Sequence, residues 1–132
     1  MGRLSLSDCN AKELSPLTLA FVGDGVYDLI VREELVCSAN RPVGELNKLK
    51  VEKVRCQAQA QLIKTIEPFL TEEETDVYKR GRNAHTAHTP KNASIADYHA
   101  ATGLEALFGY LYLSDRIDRI RELIQLGVRS GE

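Results

Sequence analysis

LTLAFVGDGVYDLIV, residues 17–31, is apolar almost throughout and shows none of the apolar–polar alternation of a half-buried strand. Its apolar residues recur at helical spacing, Ser15 offers an N-cap and Pro16 suits a first turn. The stretch therefore predicts a helix from residue 16 to about Val36. Inside it Asp24 sits between Gly23 and Gly25, and Asp28 follows one helical turn later. Each glycine costs about 1 kcal/mol against alanine in a helix interior. Two of them around a carboxylate need a compensating use: either they let another helix pack closely, or they clear space around Asp24 for a bulky ligand.

The same helical spacing continues outward from this stretch, and runs of alternating β-branched residues are missing, which predicts an all-α domain of about five helices. The second helix is expected from Pro42 or Val43, after a CSANRP loop, to a stop at Pro68, with Leu46, Leu49, Val54, Ala58, Leu62 and Ile66 on one face. Thr71 and Glu74 form a capping box for a short third helix ending near Arg82. Ser94 with Asp97 opens a fourth. Ser114 is expected to cap a fifth, whose Ile117, Ile120, Leu123, Ile124 and Val128 make one stripe. Between the third and fourth lies NAHTAHTPKNA, residues 83–93, a polar loop with Pro90 inside, long enough to suggest a functional role.

With 132 residues the chain fits one domain, residues 1–132, large enough for a real core. No stretch approaches a membrane span, and the first sixteen residues contain no apolar region before a cleavage site, so the expected location is cytoplasmic. Cys9, Cys37 and Cys56 are widely spaced, which argues against a disulfide framework or a zinc site; they read as ordinary, mostly buried side chains. A formal charge of −2 excludes a global basic field, so a nucleic-acid partner would have to be held by local patches. One such patch exists: residues 79–91, KRGRNAHTAHTPK, carry four cations and no acid, directly after the acidic TEEETD of residues 71–76.

A second carboxylate repeats the design of Asp24. In ATGLEALFGYLYL, residues 101–113, Glu105 is the sole charge, with Gly103 and Gly109 nearby. An ionised carboxylate left unpaired in apolar surroundings costs several kcal/mol, so each acid must be protonated, paired with a cation or bound to a metal. No lysine or arginine lies within a helical turn of either. Facing one cleft, the two would make a hard-oxygen pair suited to Mg²⁺, which takes one or two carboxylates and keeps waters or substrate phosphates as its other ligands. The other reading is that each acid caps a neighbouring helix or pairs with a distant arginine. Asp28 reads as a polar neighbour.

LTLAFVGDGVYDLIV resembles the signature helix of ribonuclease III, and GLEALFGYLYL resembles that family's second acidic helix. KRGRNA followed by TPKN, residues 79–84 and 89–92, is similar to the basic loop of the Mini-ribonuclease III subfamily, the form that consists of the catalytic domain alone. The likeness covers residues 14–128. It implies an all-helical ribonuclease III-like homodimer that cleaves double-stranded RNA with Mg²⁺, for which Mn²⁺ may substitute, leaving 5′-phosphate and 3′-hydroxyl ends. In the subfamily the substrate is the precursor of large-subunit (23S) ribosomal RNA. Asp24 and Glu105 match the family's metal ligands and are the expected catalytic residues. The chain departs from the longer enzymes at Leu17, Ala20 and Thr102, where those carry further acids, and the likeness to the catalytic-domain-only form implies that no double-stranded-RNA-binding domain is expected. Fewer carboxylates favour one Mg²⁺ held mainly by protein. Glu45 is a possible outer-shell acid.

Neither acidic motif carries a serine or cysteine beside a histidine, so a covalent nucleophile is not expected. The duplex would be held by its phosphates, with Lys79, Arg80, Arg82, Asn83 and Lys91 as one contact group. Lys48, Lys50, Lys53 and Arg55 form a second group or a solvated helix face. His85 and His88 read as phosphate contacts or solvated residues. A two-fold dimer would supply a site for each strand, with Phe21, Val22 and residues 110–113 as its expected face or else as core. Two rivals of other classes are a non-catalytic RNA-binding scaffold of the same fold and an all-α Mg²⁺-dependent nucleotide phosphohydrolase.

Overall fold

The structure is a computed structural model that describes residues 2–84 and 94–130, with side chains to residue 128. Lys91, His85 and His88 lie outside the described residues. Six α-helices follow one another: α1 (Pro16–Ser38), α2 (Val43–Val54), α3 (Cys56–Ile66), α4 (Glu72–Arg82), α5 (Ile95–Leu113) and α6 (Ile117–Ser130). Single 3₁₀ turns occupy Ala11–Glu13 and Glu67–Phe69, and no strand occurs among the described residues. None of the described helices is long and apolar enough to cross a membrane.

The core is built around α5. Leu104, Leu107, Phe108 and Leu111 are fully buried on it, and α1, α3, α4 and α6 all pack against it. A helix apolar on every side must be surrounded, and α5 is. The caps that begin three of the helices are those expected. Thr18 donates its backbone N–H to Ser15, Asp97 donates to Ser94 at 3.0 Å, and Thr71 and Glu74 exchange both bonds of a capping box. Glu74 has a second use. Although 2% exposed, it receives Arg119 at 2.7 and 2.8 Å through both carboxyl oxygens and ties α6 to α4.

Two boundaries differ from expectation. The single helix expected over residues 43–66 is broken at Arg55, whose backbone is extended (φ −60°, ψ 152°). No glycine or proline marks the spot. Packing requires the break: α2 turns Leu46 and Leu49 toward α1, whereas α3 turns Ile63 and Ile66 into the space beside α5 and α6. One straight rod could not reach both. Ser114 does not cap the last helix; it closes α5. Asp115 takes the left-handed conformation (φ 62°) while its N–H bonds to Tyr112 and that of Arg116 to Leu111, the paired bonds of a Schellman end with aspartate in the place usual for glycine. The Asp115 carboxylate and the Tyr112 hydroxyl accept the backbone N–H groups of Arg3 and Leu4, anchoring the N-terminal segment there.

The cysteines also depart from expectation. Cys9 and Cys37 are exposed and only Cys56 is partly buried, because positions 9 and 37 fall in the N-terminal segment and on the outer face of α1.

Candidate active site

Helices α1 and α5 cross at glycines. A Cβ on Gly23 would stand 1.6 Å from the backbone oxygen of Glu105, and one on Gly109 would stand 2.0 Å from that of Leu19. Only hydrogen fits at either point. Gly25 differs: nothing lies within 4 Å of where its Cβ would be. Gly23 thus allows the crossing, the first reading of the paired glycines, whereas Gly25 is exposed with open space where its side chain would be.

The residue after Gly23 is thereby delivered to Glu105. Asp24 and Glu105 line one cleft of about 430 Å³, together with Ala20, Val54, Cys56, Gln59, Tyr98 and Thr102 among others. Asp24 is exposed at its mouth and Glu105 is partly buried deeper in. Burial, and then the Asp24 carboxylate close enough to share a proton, push the Glu105 carboxyl up to about 8, while the Gln59 amide beside it pulls the other way. Among the described residues no lysine or arginine lines the cleft, so within them the alternative of a structural ion pair finds no partner.

The neighbouring walls register the same acid. The Tyr27 hydroxyl is pushed up to about 12, first by burial and then by Glu34 and Glu105, and it donates to the Lys53 carbonyl at 3.2 Å. The Cys56 thiol is pushed up by burial and next by Glu105. A raised thiol is a poor nucleophile at neutral pH.

Asp28 is held by Arg32 at 2.6 Å and Lys50 at 3.4 Å, and its pKa is lowered, burial being outweighed by those two cations. It is the polar neighbour expected. Glu45 does not join the cleft; it is exposed at the start of α2, 3.7 Å from Arg41. Among the described residues no three His, Cys, Asp or Glu side chains gather as a metal cage. The donor set is two carboxylates around open space, which fits a small hard cation that keeps its own waters.

The basic group lies at the end of α4, where Gly81 meets Gly103 and the Thr102 carbonyl of α5 at 3.0 and 3.3 Å from an added Cβ. Thr102 lines the cleft, so the end of α4 abuts its wall. Arg82 lies 5.6 Å over the Tyr78 ring and donates to Asn83 at 3.2 Å; Arg80 is exposed and pairs with Asp76 at 3.2 Å. Lys79 instead lines a separate groove with Glu72, Glu73, Asp76 and Arg116. Of the second basic group, Lys50 is engaged by Asp28, and Lys48, Lys53 and Arg55 are exposed. Tyr110 and Leu111, offered as a dimer face or as core, are core, whereas Phe21 is 83% exposed.

Sequence reasoning passed over Gln59. In QAQAQ nothing separates it from Gln57 and Gln61, which are exposed, while Gln59 is buried against the cleft. Its spacing to Ile63 and Ile66, four and seven residues on, sets it on the buried face of α3, with Gln57 and Gln61 on the opposite face.

The family model described as "Ribonuclease III domain" matches residues 17–116. The Mini-ribonuclease 3 of Thermoanaerobacter sp. (strain X514) is 44% identical to the chain, over 98% of the chain and 94% of that protein. That of Symbiobacterium thermophilum is 44% identical over 88% of the chain and 89% of the relative. A crystal structure of a protein from Fusobacterium nucleatum superposes with a TM-score of 0.83 at 29% identity, covering 92% of this chain and 99% of that one.

Proposed function

The chain belongs to the ribonuclease III family, and on that premise we propose that it is an endoribonuclease of the Mini-ribonuclease III type which cuts double-stranded RNA at the Asp24–Glu105 cleft. The observation that carries this reading is the pairing of those two acids at a cleft open to solvent, with no basic residue in its lining among the described residues. Asp24 and Glu105 would hold Mg²⁺, or Mn²⁺ in its place. The chemistry such an ion supplies when bound is polarisation of a phosphate oxygen and activation of water for hydrolysis.

The chain's own residues set the conditions. Glu105 must lose its proton to act as a ligand, so cation affinity rises with pH toward about 8. Gly25 leaves room for the RNA backbone next to Asp24. Arg80, Arg82, Asn83, Lys79 and Lys91 are the proposed phosphate contacts; the approach of α4 to the cleft wall supports the first three, and the separate groove at Lys79 gives that residue the weakest support. The biological substrate proposed is the precursor of large-subunit (23S) ribosomal RNA in the cytoplasm. The working unit proposed is a homodimer joined at Phe21, an aromatic left 83% exposed beside the cleft.

The test is a gel of duplex RNA and of total structured RNA incubated with the purified protein, with Mg²⁺ or with a chelator. Discrete products bearing 5′-phosphates in Mg²⁺ only are expected. RNA retention with no cutting at any Mg²⁺ concentration would convert the reading to a binding scaffold.

A further inference from the structure

Gln59 is 3% exposed and lines the cleft beside Asp24 and Glu105. Half of its amide is accounted for, since Nε2 donates to the Val54 carbonyl at 2.9 Å where α2 breaks into α3. The other half is not: Oε1 is buried and finds no hydrogen-bond partner among the described residues. A buried oxygen left so is costly, a cost that methionine at this position would avoid. Turning the amide over gives no relief, because it would set an oxygen against the Val54 carbonyl.

We propose that Gln59 is a positioning residue of the cation site, its Oε1 accepting a hydrogen bond from a water in the shell of a divalent ion held by Asp24 and Glu105. The proposal rests on the reading of the cleft as a cation site. Mg²⁺ bound by two carboxylates keeps several waters, and those waters need acceptors as well as a cation. A neutral amide provides one without adding a third negative charge to a pair that already repels. Acceptors in this outer position are typically worth 10–100-fold in metal affinity.

The experiment is a titration with Mg²⁺, repeated with Mn²⁺, read by calorimetry and by thermal shift on the wild type, Gln59→Met and Gln59→Glu. Methionine keeps the length and removes both polar groups; glutamate keeps the acceptor oxygen, adds a charge and removes the donor to Val54. Both variants are expected to melt lower without cation. Only Gln59→Met is expected to bind the cations more weakly, about tenfold or more, with Gln59→Glu at least as tight as wild type. Equal loss in both variants would assign Gln59 to the helix break alone, and loss in neither would remove it from the site; either overturns the proposal. Should Gln59→Met not fold, the side-chain amide resonances of Gln59 in the wild type are expected to move during the Mg²⁺ titration and to stay still in Asp24→Asn. Stationary resonances in wild type that binds the cation overturn the proposal alone. A wild type that binds no divalent cation overturns it together with the reading it rests on.

Discussion

At the residue scale, Glu105 makes the sharpest claim. Its carboxyl titrates near 8 in the folded chain and near 4.5 when unfolded. Between those values the folded state keeps a proton that the unfolded state has lost, so this group lowers stability as pH rises through that window and adds nothing below it. Glu105→Gln should therefore be more stable than wild type in chelator by several kcal/mol above pH 8, with the gap closing toward pH 4.5; thermal melts across pH check this. The same variant, and Asp24→Asn, should lose cleavage by a thousandfold or more, whereas lost stability with retained cutting would make these acids structural. Gly25 supports the same view from the other side. Alanine there meets nothing and should raise stability by about 1 kcal/mol in a denaturant titration, so glycine at 25 serves space rather than packing.

At the element scale, α4 joins two jobs. Its acidic first turn is capped and locked, because Glu74 is buried yet its pKa is lowered, burial being outweighed by Arg119 and the Thr71 bonds. Its basic last turn ends against the wall of the cleft. Reversing Arg80 and Arg82 to glutamate should leave the fold intact, Arg80 being exposed and Arg82 giving up only its stacking over the Tyr78 ring and its bond to Asn83, and should weaken duplex binding. The slope of log affinity against log salt should fall by about two. An unchanged slope in filter-binding assays would take this turn out of the interface. Helix α3 carries the opposite lesson: its register against the cleft depends on the extended backbone at Arg55, a choice made by competition between two packing surfaces.

On the scale of the whole molecule, much of this architecture could be read from the chain. Proline and serine placed the start of α1, the Thr71–Glu74 box placed α4, and Ser94 with Asp97 placed the start of α5. What escaped was whatever depends on contacts between elements distant in sequence. The break at Arg55 and the aspartate that ends α5 have no local signature, because each is imposed by neighbours supplied from elsewhere, whereas Gln59 is in helical phase with Ile63 and Ile66. Phe21 shows the converse, an aromatic in an apolar helix that the fold leaves 83% exposed. Phe21→Ala should leave the melting temperature of the monomer nearly unchanged and loosen self-association by tenfold or more, the equivalent of about 2 kcal/mol for one buried aromatic. Light scattering against concentration reads the outcome, and identical association in both proteins would move the dimer face elsewhere.

The contact of Gly23 with the Glu105 backbone also bears on how the protein comes apart. The spacing of the two acids is set by main chain pressed on main chain at the centre of the molecule, not by a loop that can open separately. On the proposed reading, cation affinity and global cooperativity would thus be one property, because parting α1 from α5 would separate the two acids.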